Sequence, residues 1–96
     1  MIANYVSPLE VTDVSGQKRL RLRRTRADSS VGDLTRFARD RMSLPGTDPD
    51  GRALAYQALL TREGRHLFDS ERVGEVLSPN DLLVLQPNID AGGPRA

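Results

Sequence analysis

The chain has 96 residues, enough for one small domain, and its charges nearly cancel, with 14 Lys and Arg against 13 Asp and Glu. It contains no cysteine and a single histidine, which excludes disulfide bonds, the usual zinc sites and a cysteine–histidine nucleophilic site. We therefore expect a protein that is not an enzyme and uses no metal or cofactor. No stretch approaches the ~20 apolar residues of a membrane span, so we expect no membrane association and a cytoplasmic location.

The first two periodic segments predict a β-hairpin. Leu9 and Val11 share one face of an extended segment over residues 9–14, and residues 19–23 alternate arginine with leucine. Gly16 lies in the turn between them, where glycine can adopt a positive φ. Two strands joined by such a short loop form a hairpin.

A helix is predicted from residue 30 to about residue 43. The Ser30 side chain can accept a hydrogen bond from a free N–H group of the first turn, and Asp33 places a negative charge there. Pro45 then disfavours further helix. The predicted buried stripe consists of the apolar residues spaced by three and four, namely Val31, Leu34, Phe37, Ala38 and Met42.

The second half of the chain predicts more strands. Every second residue from Leu54 to Leu60 is apolar, which predicts a strand over residues 54–60. A short strand is predicted at residues 66–68 after a glycine turn, and a helical turn is predicted within residues 73–77. Four consecutive aliphatic residues at 82–85 indicate a central strand. A central last strand pairs in parallel with the first, which predicts an α+β fold with a mixed sheet of four to five strands packed on one helix.

The segment LLTREGRHLFDSERVGEVLSPNDLLVLQPNIDAGG, residues 59–93, resembles the second half of ubiquitin-like proteins. It contains a strand, a glycine turn followed by a basic residue, a Leu-then-Asp corner, an aliphatic last strand and a Gly-Gly pair. The resemblance implies a ubiquitin-like β-grasp domain over residues 9–86, with residues 1–8 as an N-terminal extension. Within that family it resembles the modifiers of bacterial ubiquitin-like conjugation operons.

The resemblance also implies a use for the Gly-Gly pair. In ubiquitin-like modifiers the carboxylate of the last glycine is adenylated by an activating enzyme, passed on as a thioester, and joined to an amine of a target protein in an isopeptide bond. Gly92 and Gly93 would take these places, since a chain that threads a narrow channel is helped by the absence of a Cβ. The flexible arm before them would span residues 87–93 and contain the activating-enzyme contacts Asn88, Ile89, Asp90 and Ala91.

The residues after Gly93 imply a precursor. A carboxyl group held in the Gly93–Pro94 peptide bond cannot be adenylated, so we expect a peptidase to cut this bond and remove residues 94–96. Because Asp90 makes the arm acidic where that of ubiquitin is basic, the resemblance implies a dedicated activating enzyme. A conjugating enzyme, the processing peptidase and target proteins complete the expected partners.

Three side chains of the predicted sheet could form an apolar partner patch. If Leu83 and Leu85 face the helix, then Leu59, Leu82 and Val84 emerge together on the opposite face, and exposed apolar clusters mark partner sites. A register shifted by one residue would exchange the two faces, and the sequence leaves both possibilities open.

The basic residues favour protein partners over nucleic acid. Residues 18–26 hold six of the basic side chains, but no aromatic residue is interleaved to stack on bases, so we interpret them as a solvated strand face.

Lys18 is the single lysine and hence a possible acceptor for attachment. One acceptor favours limited attachment over long polymers, and we expect the free protein to be a monomer.

Two alternative functions remain at this stage. The first is a non-covalent β-grasp interaction module of the kind associated with bacterial secretion systems, in which the Gly-Gly pair does no chemistry. The second is a sulfur carrier that ends in a thiocarboxylate. The residues after Gly93 argue against the second alternative, because such carriers usually end at the glycine pair.

Overall fold

A computed structural model describes residues 4–89 of the chain. It contains a mixed sheet, a second sheet of two short strands, one long helix and one helical turn. In chain order the elements are β1 (Tyr5–Val6), β2 (Leu9–Asp13), β3 (Arg19–Leu22), β4 (Thr25–Arg26), α1 (Val31–Met42), β5 (Leu54–Leu60), β6 (Arg65–His66), α2 (Val73–Val76) and β7 (Leu82–Ile89).

The main sheet has five strands in the order β3-β2-β7-β5-β6. Strands β2 and β7 are parallel, and the other neighbouring pairs are antiparallel. The last strand therefore lies at the centre, beside the first strand of the hairpin. This arrangement confirms the predicted fold class, a mixed sheet packed on one helix.

The core lies between the sheet and α1. It is built from the inward residues of the central strands, which alternate with outward ones as the period of two requires. Each buried aliphatic side chain contributes about 1.5 to 3 kcal/mol relative to leaving it in water. The residues that are at most 1% exposed are Leu9, Val11, Val31, Ala38, Ala58, Leu60, Val73, Leu83 and Leu85.

Helix α1 begins and ends where predicted. The Ser30 Oγ accepts a hydrogen bond from the Asp33 N–H at 3.1 Å, and Ser43 closes the helix in a left-handed conformation with φ 56°. One predicted core residue is wrong, since Phe37 is 47% exposed. At 3.6 residues per turn, Phe37 lies about 60° beyond Leu34, at the edge of the buried stripe. Thr35 is buried on the opposite side of that stripe.

The domain starts earlier than predicted. Within the predicted N-terminal extension, residues 5 and 6 form β1, which pairs with β4 in the two-stranded sheet. Val6 is only 8% exposed and belongs to the core. A strand of two residues is too short for alternation to be recognised, so its sequence carried no periodic signal.

The last strand is longer than predicted. Beyond the predicted residues 82–85, β7 continues through Pro87 to Ile89, and its end pairs with β5 through Tyr56 opposite Pro87 and Leu54 opposite Ile89. The first three residues of the predicted arm, 87–89, are therefore part of the sheet. The short strand predicted at 66–68 is also shifted and occupies Arg65–His66.

The position of Pro87 explains how the strand tolerates proline. The Thr61 N–H donates a hydrogen bond to the Leu82 carbonyl at 3.2 Å, and hydrogen-bonded pairs alternate with non-hydrogen-bonded pairs along an antiparallel ladder. By this alternation Pro87 and Tyr56 form a non-hydrogen-bonded pair, so the Pro87 nitrogen faces away from β5. On that side β2 has already ended, with Asp13 opposite Leu85. Because no strand lies on that side of residue 87, the missing N–H of proline removes no hydrogen bond from the sheet.

Candidate functional site

The segment that carries the predicted chemistry comes directly after β7. Asp90, Ala91, Gly92, Gly93 and the bond to Pro94 lie outside the described residues, so their predicted roles remain predictions. The backbone of Asn88 and Ile89 is part of β7. The candidate site therefore consists of the strand that leads to the glycines and of the sheet face around it.

The beginning of β7 is fixed by the buried carboxylate of Asp81, which is 5% exposed. It accepts hydrogen bonds from Arg62 Nε at 2.8 Å and Arg62 Nη2 at 3.0 Å, and a third from the Ser78 N–H at 2.8 Å. The hydrogen bond from Arg62 is the main cause that lowers the pKa of Asp81; the Ser78 N–H also lowers it, and burial opposes both. Arg62 also donates to the Val76 carbonyl at 3.2 Å, which ties α2 to the same point.

The outer face of the sheet presents the three predicted patch residues together. Leu59 and Val84 are direct cross-strand partners, and Leu82 lies two residues before Val84 on β7. All three are half-buried, whereas Leu83 and Leu85 are at most 1% exposed on the helix side. The observed register is the one that places these side chains on the outer face. We call Leu59, Leu82 and Val84 the sheet patch; its role in partner binding remains a prediction.

Polar groups frame the sheet patch on the β2–β3 side. Glu10 pairs with Arg19 at 3.0 Å and with Arg21 at 3.8 Å, so these arginines lie on the outer face as the alternation with leucine predicts. Thr12, between Arg19 and Val84 in the ladder, is 5% exposed.

On the β6 side, the His66 ring nitrogen forms a hydrogen bond with the Gln86 side chain. His66 is also the cross-strand partner of Leu59. The sheet patch is thus an apolar centre inside a polar frame, an arrangement common at protein interfaces.

Comparison with known proteins identifies a solved structure of similar fold. Neither a protein-family model nor a curated protein matches the sequence. The solved structure of Caldiarchaeum subterraneum ubiquitin aligns with a TM-score of 0.60 and 24% identity, over 94% of this chain and 100% of that chain. The chain has a ubiquitin-like β-grasp fold. At this identity the match concerns the fold, and the functional residues require their own evidence.

Within this β-grasp domain, Lys18 occupies an exposed position in the β2–β3 hairpin turn. Its Nζ donates a hydrogen bond to the Ser43 carbonyl at 3.2 Å, at the C-terminal end of α1. A cation is favoured at this end of a helix because the free carbonyl groups carry partial negative charge. The Lys18 side chain is exposed but its Nζ is already hydrogen-bonded to the Ser43 carbonyl. Its role as an acceptor remains a prediction.

Among residues 4–89, no three His, Cys, Asp or Glu side chains come together in a way that could hold a metal ion. In the same range, no helix has both the length and the apolar character needed to cross a membrane.

Proposed function

We propose that the chain is a ubiquitin-like protein modifier, activated at Gly93 after cleavage of the Gly93–Pro94 bond. The observation that carries the proposal is the position of the glycines relative to the fold. The central strand of a β-grasp sheet runs to Ile89, and only Asp90 and Ala91 separate it from Gly92. The chain therefore stays within the sheet until three residues before Gly92.

The proposed chemistry takes place entirely on partner enzymes. A peptidase hydrolyses the Gly93–Pro94 amide and frees the Gly93 carboxylate. A dedicated activating enzyme transfers AMP from ATP to this carboxylate and releases pyrophosphate, and an enzyme thiol then displaces AMP to give a thioester. An amine of the target then attacks the thioester carbonyl, releases the thiol and forms the isopeptide bond. Glycine suits each attack because no Cβ crowds the carbonyl.

The sheet patch is proposed to contact these enzymes. It lies on the same strand as the route to Gly93, with Leu82 and Val84 on β7 and Leu59 beside them on β5. A partner that binds the patch would thereby position the end of β7 relative to its own reactive cysteine. The proposed site of action is the cytoplasm.

The sequence offers a specific way to detect attachment. An N-terminally tagged chain is expressed in the organism that encodes it, and the tagged proteins are purified under denaturing conditions. Digestion with an endoprotease that cleaves before aspartate leaves the remnant Asp90-Ala91-Gly92-Gly93 on the acceptor amine. The proposal predicts lysine-containing target peptides that carry this remnant in tandem mass spectra.

Matched variants separate attachment from chance association. The double variant Gly92→Ala, Gly93→Ala keeps the length and charge of the segment and should yield no remnant. A chain that stops at Gly93 should yield remnants without any peptidase. Absence of remnants from both the full chain and the shortened chain would contradict the proposed function.

A non-covalent interaction module is the second candidate, and the sheet patch favours it equally well. In that case the domain binds its partner through Leu59, Leu82 and Val84, and the glycines take no part. The double glycine variant would then keep full activity in cells, while Leu59→Arg would lose it. The modifier proposal requires both variants to lose activity.

A further inference from the structure

A cleft on the helix side of the sheet lies between α1 and the start of β5. It has a volume of about 240 Å³ and is lined by both apolar and charged residues. Leu54 and Tyr56 form its wall on the sheet, and the buried Thr35 belongs to its wall on the helix. Because Leu54 and Tyr56 have the same parity as the buried Leu60, the cleft lies on the sheet face opposite the sheet patch.

The two ends of the cleft carry opposite charges. Asp69 lies at the end near the start of α1, where its backbone carbonyl accepts a hydrogen bond from the Gly32 N–H at 3.0 Å. Arg39 lies about 10 Å from Gly32 along the helix axis, at the rise of about 1.5 Å per residue. Burial raises the pKa of the Tyr56 phenol, and the positive charge of the nearby Arg39 opposes this rise.

These charges are only weakly balanced by neighbouring side chains. Within residues 4–89 the Asp69 carboxylate forms no ion pair. In the same range Arg39 pairs with Asp40 alone, at 3.4 Å, and Asp40 does not line the cleft. The cleft therefore suits a ligand that carries a carboxylate and a cation at some distance from each other.

The end of β7 brings such a ligand to the edge of the cleft. Ile89 pairs with Leu54, which lines the cleft, and the chain then continues with Asp90. Residues 90–95 contain two charged side chains, the acidic Asp90 and the basic Arg95. The five residues from one to the other can span up to about 17 Å, which exceeds the separation of the two cleft ends along α1. The Gly-Gly-Pro sequence between them favours a reversal of the chain.

We propose that the cleft binds residues 90–95 of the same chain, with the Asp90 carboxylate at Arg39 and the Arg95 guanidinium at Asp69. Arginine suits the second contact because its guanidinium can donate two parallel hydrogen bonds to one carboxylate. The same segment of a second copy carries the same charges, but the segment of the same chain is already attached beside Leu54. This attachment gives it a high effective concentration at the cleft.

The docked segment would make the precursor differ from its cleaved form. Arg95 follows Gly93, so hydrolysis of the Gly93–Pro94 bond would remove the contact with Asp69 and release the residues before it. This consequence rests on the proposed function, whereas the docking itself does not. The two can therefore fail separately.

The absence of cysteine from the chain allows a direct test. A nitroxide spin label attached to the full-length variant Ala96→Cys broadens the amide NMR signals of nearby residues in the ¹⁵N-labelled protein. We expect strong broadening at Gly32 and Asp69, the end of the cleft far from Ile89, and less broadening as the salt concentration rises. Broadening confined to the surroundings of Leu54, spread evenly over the domain, or strongest at the sheet patch would overturn the proposal.

Charge variants of the spin-labelled protein identify the contacts. Arg95→Ala and Asp69→Asn should each reduce the broadening at Gly32 severalfold. Combining Asp69→Arg with Arg95→Asp should restore it, because the two charges are exchanged. Arg95 follows the last strand of the sheet, so its replacement tests the docking even if a change at Asp69 unfolds the domain. Unchanged broadening in Arg95→Ala would contradict the proposed contact.

Two arginines of α1 provide a matched pair. Arg39→Gln should reduce the broadening, whereas Arg41→Gln should leave it unchanged because Arg41 does not line the cleft. Equal effects of the two changes would refute the assignment.

A mixed sample separates docking within one chain from docking between two copies. It combines a ¹⁵N-labelled chain that has no spin label with a spin-labelled chain that has no ¹⁵N. The proposal predicts no broadening at Gly32 in this mixture. Broadening as strong as in the doubly labelled chain would show that the segment binds a second copy, and would overturn the proposal.

Discussion

The two halves of β7 differ in how they are held. Residues 82–85 lie between β2 and β5, and the buried Asp81 carboxylate fixes the point where the strand begins. Residues 86–89 pair with β5 alone, because β2 ends opposite Leu85. The strand thus passes from a doubly paired core segment to a singly paired exit that leads toward the glycines. The contrast indicates that the first half stabilises the domain, whereas the second half connects the sheet to the glycine pair.

The largest effect is expected from the doubly paired half. Leu85 is fully buried, so Leu85→Ala should lower the free energy of unfolding by about 2 to 5 kcal/mol, through lost transfer energy and a residual cavity. Leu82→Ala makes the same chemical change on the half-buried outer face and should cost clearly less. Denaturant unfolding of both variants measures the difference, and equal losses would contradict the assignment of the two faces.

The anchor at the start of β7 should give the next largest effect. Asp81→Asn removes the charge that Arg62 and the Ser78 N–H contact, and we expect a loss of about 1 to 3 kcal/mol at neutral pH. The pKa of Asp81 is lowered in the folded state, so its stabilisation is present above the pKa of the unfolded chain and is lost as pH falls through the lower folded value. Unfolding measured from neutral pH downward should show wild type and variant converging in acid. A constant difference at all pH values would contradict the ionic anchor.

The smallest effect is expected at the singly paired exit. Pro87→Ala restores an N–H on the side where β2 has ended, so it creates no ladder bond and should change stability by less than about 1 kcal/mol. The matched change Leu83→Pro puts proline where both neighbouring strands are present and should disrupt the fold. Thermal unfolding compares the two, and a large loss from Pro87→Ala would show that the exit is held more firmly than the pairing indicates.

The sequence predicted those features that repeat along the chain. Alternation separated Leu83 and Leu85 from Val84 on opposite faces of the last strand but left open which face meets the helix, and the Ser30 cap located the start of the helix. Features that depend on packing between distant segments were missed. Phe37 has the right spacing for the core but lies where the helix surface turns away from the sheet, and it is 47% exposed.

The ends of the domain were the least predictable part. Strand β1 has two residues and gains its place from β4, while the exit of β7 contains Pro87, a residue that argues against a strand unless the neighbouring strand is known to have ended. The glycines themselves were recognised through resemblance.

The most direct test of the proposed modifier is the intact mass of the unattached protein recovered from the organism that encodes it. The account predicts a form whose last residue is Gly93, with Pro94, Arg95 and Ala96 removed, and predicts that blocking this cleavage abolishes activity. A fully active population that retains the Gly93–Pro94 bond would contradict it.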